Sequence, residues 1–123
     1  MKIHSLLLVD DDQNMRTIAE IILEADFSVY LAESGRSGLV AAVYEQPDVI
    51  LLDVKMPGMD GPTTLIKLRE NPLTAAIPVI FMTACVQTHE TECYRKLDII
   101  GLIEKPFDPM GLVSRIRTLT ASL

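Results

Sequence analysis

Short apolar runs alternate along the chain with longer segments of helical period. Four runs lack internal polar residues and are bounded by turn-forming residues: 6–9, 49–52, 79–82 and 102–103. Strands covered on both faces have this pattern, because neither set of alternating side chains meets water. A weaker strand is predicted over residues 28–32.

The first two helices are predicted from apolar residues at helical spacing. In the first helix the inner face is formed by Met15, Ile18, Ala19 and Ile22, and in the second by Leu39, Ala42 and Val43. Residues three, four and seven positions apart share one side of a helix. Both segments are therefore expected to cover the sheet.

Three further helices follow the later strands. The third is predicted to open at Pro62, to turn Leu65, Ile66 and Leu68 inward, and to stop before Pro72. The fourth is predicted from about Thr88 to Leu97 and has a thin apolar stripe. The fifth is predicted to have Asp108 as its cap, Pro109 as its first residue, and Leu112, Val113, Ile116 and Leu119 on one face.

Five strand–helix units in succession predict a three-layer α/β sandwich with a parallel sheet and right-handed crossovers. The chain has 123 residues, 49% of them hydrophobic, which is enough for one core. No linker or composition break divides it. A single domain over residues 1–123 is expected.

Charge and cysteine content exclude several classes of protein. The formal net charge is −6, and residues 1–62 hold 11 of the 17 acidic residues, so direct binding to nucleic acid is not expected. Two cysteines, Cys85 and Cys93, make neither a disulfide framework nor a zinc site. With no signal peptide or membrane segment visible, a reducing cytoplasm is the expected location.

Chemically active side chains follow four of the predicted strands. They are Asp10 and Asp11, Asp53, Thr83 and Lys105. In a parallel α/β sheet the carboxyl ends of the strands lie at one edge, which is where such folds bind ligands. These side chains are therefore expected to converge on one site.

Three neighbouring carboxylates repel one another and need a cation to stay ionised. An all-oxygen ligand set favours Mg²⁺. A carboxylate beside a hard cation, an ammonium and a hydroxyl suits phosphoryl transfer, with the carboxylate as nucleophile.

Each residue also has a plain structural interpretation. Asp12 is best explained as the cap of the first helix. Asp53 could serve a turn, Thr83 could cap a strand end, and Lys105 could be a surface lysine. The coincidence at four strand ends favours the site.

The sequence resembles the receiver domain of two-component response regulators over essentially its whole length. The resemblance is carried by VDDD at 9–12, LLDVKMPGMDG at 51–61, VIFMTA at 79–84 and EKPF at 104–107. It implies the (βα)₅ flavodoxin-like fold and transfer of a phosphoryl group from a histidine kinase or histidine phosphotransferase to an aspartate. Such a protein is a switch with self-catalysed phosphotransfer and slow autodephosphorylation, not a turnover enzyme.

The resemblance assigns roles residue by residue. Asp53 is the expected phosphoacceptor, with Thr83 and Lys105 beside it. Asp11, Asp53 and the backbone carbonyl of Lys55 are expected to bind Mg²⁺ directly, and Asp10 largely through water. The Lys105–Pro106 peptide bond is expected to be cis.

The family's switch is altered at one position. Phosphorylation of Asp53 would draw Thr83 inward, and an aromatic residue on the fifth strand usually then moves into the vacated space. Here that position is Leu102. Lys55 and Cys85 flank the expected path of the hydrolytic water, which suggests a comparatively long-lived phosphate.

Partners follow from the same resemblance. Downstream, a separate protein or a missing output domain is expected, since the chain ends soon after the fifth helix. A homodimer could form through the fourth helix, fifth strand and fifth helix. The alternatives are a docking module that is not phosphorylated, an aspartyl-phosphate hydrolase and a flavin carrier; Lys55 disfavours the hydrolase, and the acids after the first strand disfavour the flavin carrier.

Overall fold

The computed structural model describes residues 2–84 and 89–123. Five strands are present: β1 (Ser5–Val9), β2 (Ser28–Ala32), β3 (Val49–Asp53), β4 (Val79–Thr83) and β5 (Gly101–Glu104). They pair in parallel in the order β2-β1-β3-β4-β5. The predicted five-stranded parallel sheet is confirmed.

Helices cover both faces of the sheet. They are α1 (Gln13–Leu23), α2 (Gly35–Glu45), α3 (Gly61–Glu70), α4 (His89–Tyr94) and α5 (Leu112–Thr120). One apolar cluster joins the sheet to α2, α3 and Tyr94 of α4. A second joins the opposite face to α1 and α5. The predicted three-layer sandwich is confirmed.

The three inner strands explain the continuous apolar runs. In β1, Leu7 and Val9 belong to one cluster, whereas Leu6 and Leu8 belong to the other. All residues of β3 and β4 are buried. Alternate side chains of a strand point to opposite faces, so a sheet with two covered faces needs apolar residues at every position.

The predicted inner faces of two helices are each wrong at one residue. Ile18 is 48% exposed and Ile66 is 58% exposed. In α1 the inward stripe is centred on Ala19 and Leu23, which are fully buried. Helical spacing gives the width of an apolar stripe, but the neighbouring elements decide where its centre lies.

The predicted bounds of the last two helices are also wrong. The helix α4 ends at Tyr94 rather than near Leu97, and Thr88 lies outside the described residues. The helix α5 begins at Leu112, not at Pro109. Asp108 organises a turn before α5, because its backbone carbonyl accepts from the N–H groups of Gly111 and Leu112, both at 3.0 Å.

The chain runs from β1 outward to β2 and then crosses to β3 on the other side of β1. The carboxyl ends of β1 and β3 therefore border the crevice where ligands bind in such sheets. Among the helices in the described residues, none has the length and apolar character needed to cross a membrane.

Candidate functional site

The sheet places Asp10 and Asp53 side by side. Asp10 directly follows β1 and Asp53 is the last residue of β3. Val9 is paired with Leu52, so the next residue along each strand reaches the same level at the sheet edge. The backbone N–H of Asp10 also donates to the carbonyl of Ala32, 3.1 Å away, which fixes it between β2 and β3.

Lys105 brings the fifth strand into the same site. Its Nζ lies 3.2 Å from Oδ2 of Asp10 and 3.1 Å from Oδ1 of Asp53. The side chains of the two aspartates are 1% and 4% exposed, whereas that of Lys105 is 17% exposed. Its backbone N–H donates to the carbonyl of Thr83, at 2.8 Å. The expected convergence of the strand ends is therefore observed.

The buried carboxyl of Asp53 has an altered proton affinity. Burial, and then the neighbouring charge of Asp10, raise its pKa from 3.8 to about 6, although Lys105 and the backbone N–H of Lys55 act in the opposite direction. Burial alone would lower the pKa of Lys105, but the two carboxylates outweigh it and raise that pKa. Lys105 is therefore a permanent cation at neutral pH.

The carboxylates have the arrangement of a cation site. One oxygen from each of Asp10, Asp11 and Asp53 lies within 4.8 Å of the others. Asp11 is exposed, so the cluster opens to solvent on one side. Oxygen-only ligands suit a hard ion, and Lys105 balances only part of the negative charge. The residues present fit Mg²⁺.

Neighbouring contacts hold the acidic turn in place. The carboxylate of Asp12 accepts from the N–H groups of Asn14 and Met15, which confirms the predicted cap of α1. The N–H of Asp12 donates in turn to Oδ1 of Asp10, at 2.9 Å. Arg16 donates from Nη1 to the carbonyl of Asp10, at 2.8 Å. Arg16 was not predicted as a site residue from the sequence, because this contact depends on where α1 meets the turn.

The loop after Asp53 is held by a close helix start. The N–H of Gly61, the first residue of α3, donates to the carbonyl of Val54 at 2.9 Å. A Cβ atom at Gly61 would lie 2.6 Å from the carbonyl oxygen of Asp53. Only glycine fits so near to that backbone. Across the site, the Lys105–Pro106 bond is cis, as predicted.

The other predicted positions surround this centre. Thr83 ends β4 and is buried, whereas the side chain of Lys55 is exposed. Leu102 is 6% exposed and is paired with Phe81 across β4 and β5. Cys85 lies outside the described residues.

Comparison with known proteins agrees with this geometry. The sequence profile described as the response regulator receiver domain matches residues 6–117. Response regulator PleD of Caulobacter vibrioides is 36% identical over 116 residues, which are 94% of this chain and 26% of PleD. The DNA-binding dual master transcriptional regulator RpaA of Synechocystis is 36% identical over 115 residues, 93% of this chain and 48% of RpaA.

Solved structures match over most of their length. A putative response regulator from Chloroflexus aurantiacus has a TM-score of 0.87 and 33% identity, with 98% of this chain and 99% of that chain covered. By contrast, the chain spans only about a quarter to a half of PleD and RpaA.

Proposed function

The chain belongs to the receiver domain family of two-component response regulators, and from this premise we propose that it accepts a phosphoryl group on Asp53 in a Mg²⁺-dependent reaction. Members of this family are phosphoacceptor switches rather than classical enzymes. The observation that carries the proposal is the contact of Lys105 with both Asp53 and Asp10 beside a three-carboxylate cluster.

The proposed reaction makes an acyl phosphate. A carboxylate oxygen of Asp53 attacks the phosphorus of a phosphohistidine, a P–O bond forms, and the P–N bond to the donor breaks. The released imidazole nitrogen takes a proton from solvent. Lys105 already lies 3.1 Å from the carboxylate and would neutralise charge on the transferred oxygens. Thr83, at the end of β4, would donate its hydroxyl to one of them.

The acidic cluster would hold the metal. Asp11, Asp53 and the backbone carbonyl of Lys55 are the proposed direct ligands, and Asp10 is proposed to act largely through water. When bound, Mg²⁺ supplies positive charge that neutralises the carboxylates and the phosphoryl oxygens. Burial and the charge of Asp10 raise the pKa of Asp53 to about 6, so a bound cation would favour the ionised, nucleophilic form of this carboxyl.

Slow loss of the phosphoryl group is part of the proposal. Lys55 follows the phosphoacceptor by two residues and has an exposed side chain that is long enough to cover a phosphoryl group. The second expected modulator, Cys85, lies outside the described residues. Exchange of Lys55 for alanine is expected to shorten the half-life of the label in purified protein. An unchanged half-life would contradict a covering role.

Partners are proposed from the family. A histidine kinase or histidine phosphotransferase would be the donor, and a separate protein or an output domain would receive the signal. A groove of about 450 Å³ beside β5, lined by residues that include Arg95, Phe107 and Arg115, lies on the surface formed by α4, β5 and α5. We assign the downstream contact, or a homodimer, to this surface. Direct contact with nucleic acid or a membrane is not proposed, and a cytoplasmic location stays a prediction.

Intact-mass measurement tests the phosphorylation. The protein is incubated with acetyl phosphate, with and without MgCl₂, beside the Asp53→Asn variant. A gain of one phosphoryl group in the parent protein alone, and only with Mg²⁺, is expected. If no donor, including a phosphorylated histidine phosphotransferase, produces this gain, the receiver function is overturned in favour of a docking module that is not phosphorylated.

A further inference from the structure

Tyr94, the last residue of α4, packs onto the sheet at a point close to the proposed phosphorylation site. Its ring meets that of Phe81 edge to face, with 5.7 Å between the ring centres and an angle of 89° between the ring planes. Such pairs contribute about 0.5–1.5 kcal/mol beyond the area that they bury. Within the described residues α4 spans six residues, and this contact attaches its last residue to the sheet.

Phe81 connects Tyr94 with Thr83. Both Phe81 and Thr83 belong to β4 and are two positions apart, so their side chains point to the same face of the sheet. Phe81 belongs to the apolar cluster on the side of α4. A displacement of Thr83 towards Asp53 would therefore alter the packing directly beneath Tyr94.

Tyr94 also borders an open cleft next to the phosphoacceptor loop. The cleft has a volume of about 410 Å³ and is lined by Val54, Lys55, Met56, Pro57, Asp60 and Tyr94. Four of these residues directly follow Asp53 in the chain. The aromatic ring thus has the sheet on one side and space beside the phosphoacceptor loop on the other.

Leu102 lacks the features that would make it a reporter at this place. Its side chain is 6% exposed and is packed into the same cluster as Phe81. The side chain of a leucine has no hydrogen-bonding atom, so it gains no polar contact by moving. Tyr94 combines a large apolar ring with a hydroxyl, and such side chains are suited to a boundary between core and solvent.

We propose that Tyr94 is the positioning residue that transmits phosphorylation of Asp53 to α4, by changing its packing on Phe81 and its place in the cleft beside Lys55. The inference rests on the proposed phosphorylation of Asp53. It locates the conformational readout of this chain on the fourth helix instead of on the fifth strand.

Fluorine NMR tests the inference directly. The chain has three tyrosines, and uniform 3-fluorotyrosine labelling gives three resonances that single Tyr→Phe variants assign. With acetyl phosphate and MgCl₂, a shifted Tyr94 resonance is expected to replace the original one in proportion to the phosphoryl gain in intact mass. Tyr44, which lies on α2 and is 81% exposed, is the internal control, and the chemical shift of its resonance is expected to remain unchanged. The Asp53→Asn protein should show no shift at Tyr94.

Two failures are distinguishable in this experiment. A complete mass gain with an unmoved Tyr94 resonance overturns the role of Tyr94 and leaves the phosphorylation standing. Absence of the mass gain overturns the proposed function, and this inference with it.

Hydrogen exchange supplies a second readout. At equal phosphorylated fraction, the change in amide exchange across residues 91–97 is expected to be lost in Tyr94→Leu and kept in Tyr44→Leu. A Tyr94→Leu protein that retains the whole change in amide exchange would contradict the inference. The contact of Tyr94 with Phe81 would then be purely structural, and the signal would reach α4 without it.

Discussion

Nζ of Lys105 lies 3.1 Å from Oδ1 of Asp53, although the two residues are 52 positions apart in the chain. The contact spans the sheet from the end of β5 to the end of β3. Lys105 contacts two of the cluster's three carboxylates, so its charge balances only part of theirs. This imbalance governs the proton affinity, the metal affinity and the stability of the protein together.

The first prediction concerns the stability of the metal-free protein. The pKa of Asp53 is about 6 in the folded state and 3.8 when unperturbed, so the folded state binds the proton more tightly. The stability that this tighter proton binding contributes is fully present below pH 3.8 and is lost as the pH rises through about 6. The free energy of unfolding should fall over this range by at most about 3 kcal/mol.

Urea unfolding in a chelating buffer checks this prediction. Asp53→Asn removes the titrating group at this position, so the variant should be more stable than the parent protein at neutral pH. The difference in the free energy of unfolding should shrink as the pH falls towards 3.8. A difference between the two proteins that does not change with pH would refute the role assigned to this carboxyl.

The second prediction concerns Mg²⁺. Binding of Mg²⁺ to the folded state should raise the melting temperature at neutral pH. At a free Mg²⁺ concentration of 100 times its Kd, the free energy of unfolding should rise by about 2.7 kcal/mol. Asp11→Asn should remove most of this gain, because Asp11 contributes a carboxylate to the cluster. Below a pH of about 6 the gain should decline even in the parent protein, since Asp53 then holds a proton.

Asp12→Asn is the matched control for the metal. It removes the same charge from the same acidic run, and asparagine caps a helix as well as aspartate does. The carboxylate of Asp12 caps α1 and is not part of the cluster. An equal loss of the Mg²⁺ effect in both variants would show that only the overall negative charge attracts the ion.

Much of this site could be predicted from the sequence, because buried parallel strands have a distinctive pattern. Apolar runs located the strands, and the geometry of parallel sheets then brought Asp10, Asp53 and Lys105 to one edge. The position of each strand end is enough to predict this convergence, without any side-chain detail.

Other features depend on tertiary packing and could not be predicted. The aromatic contact of Tyr94 is an example, because a six-residue helix with a thin apolar stripe does not define its inner face. Ile66 shows the same limit, since it follows an inward residue but lies outside the buried stripe of α3. The late start of α5 results from the local turn at Asp108.

The third prediction concerns Gly61. A methyl group there would lie 2.6 Å from the carbonyl oxygen of Asp53 and 2.8 Å from Cα of Val54. Because these atoms are backbone, either α3 or the phosphoacceptor must move. Gly61→Ala should cost about 1–3 kcal/mol of stability and should also slow phosphorylation.

Gly58→Ala is the control that introduces backbone strain in the same loop without displacing the phosphoacceptor or α3. Gly58 has a positive φ of 75°, but a Cβ atom there would have no neighbour within 4 Å. It should therefore lose about 1–2 kcal/mol through backbone strain alone, while the phosphorylation rate stays close to that of the parent protein. Comparable slowing in both variants would contradict the positioning role of Gly61.

The last prediction concerns Arg69, which joins α3 to the segments that precede β4 and β5. Its Nη1 donates to the carbonyls of Ala75 and Ile77, at 3.1 and 2.8 Å. Its Nε donates to Oδ2 of Asp98 at 2.8 Å, and its Nη2 to the carbonyl of Asp98 at 3.1 Å. The planar guanidinium is needed for these four hydrogen bonds, because no other side chain presents five N–H donors.

Arg69→Gln should therefore lower the free energy of unfolding by roughly 2–3 kcal/mol, since charged hydrogen bonds contribute about 1.5–3 kcal/mol each and partial exposure reduces their sum. Lys67→Gln removes the same charge from the same helix, where Lys67 faces Glu70 at 4.0 Å with both side chains more than half exposed. That control should stay within about 0.5 kcal/mol of the parent protein. Equal losses in urea unfolding would mean that the charge of α3, and not the contacts of Arg69, stabilises the loops before β4 and β5.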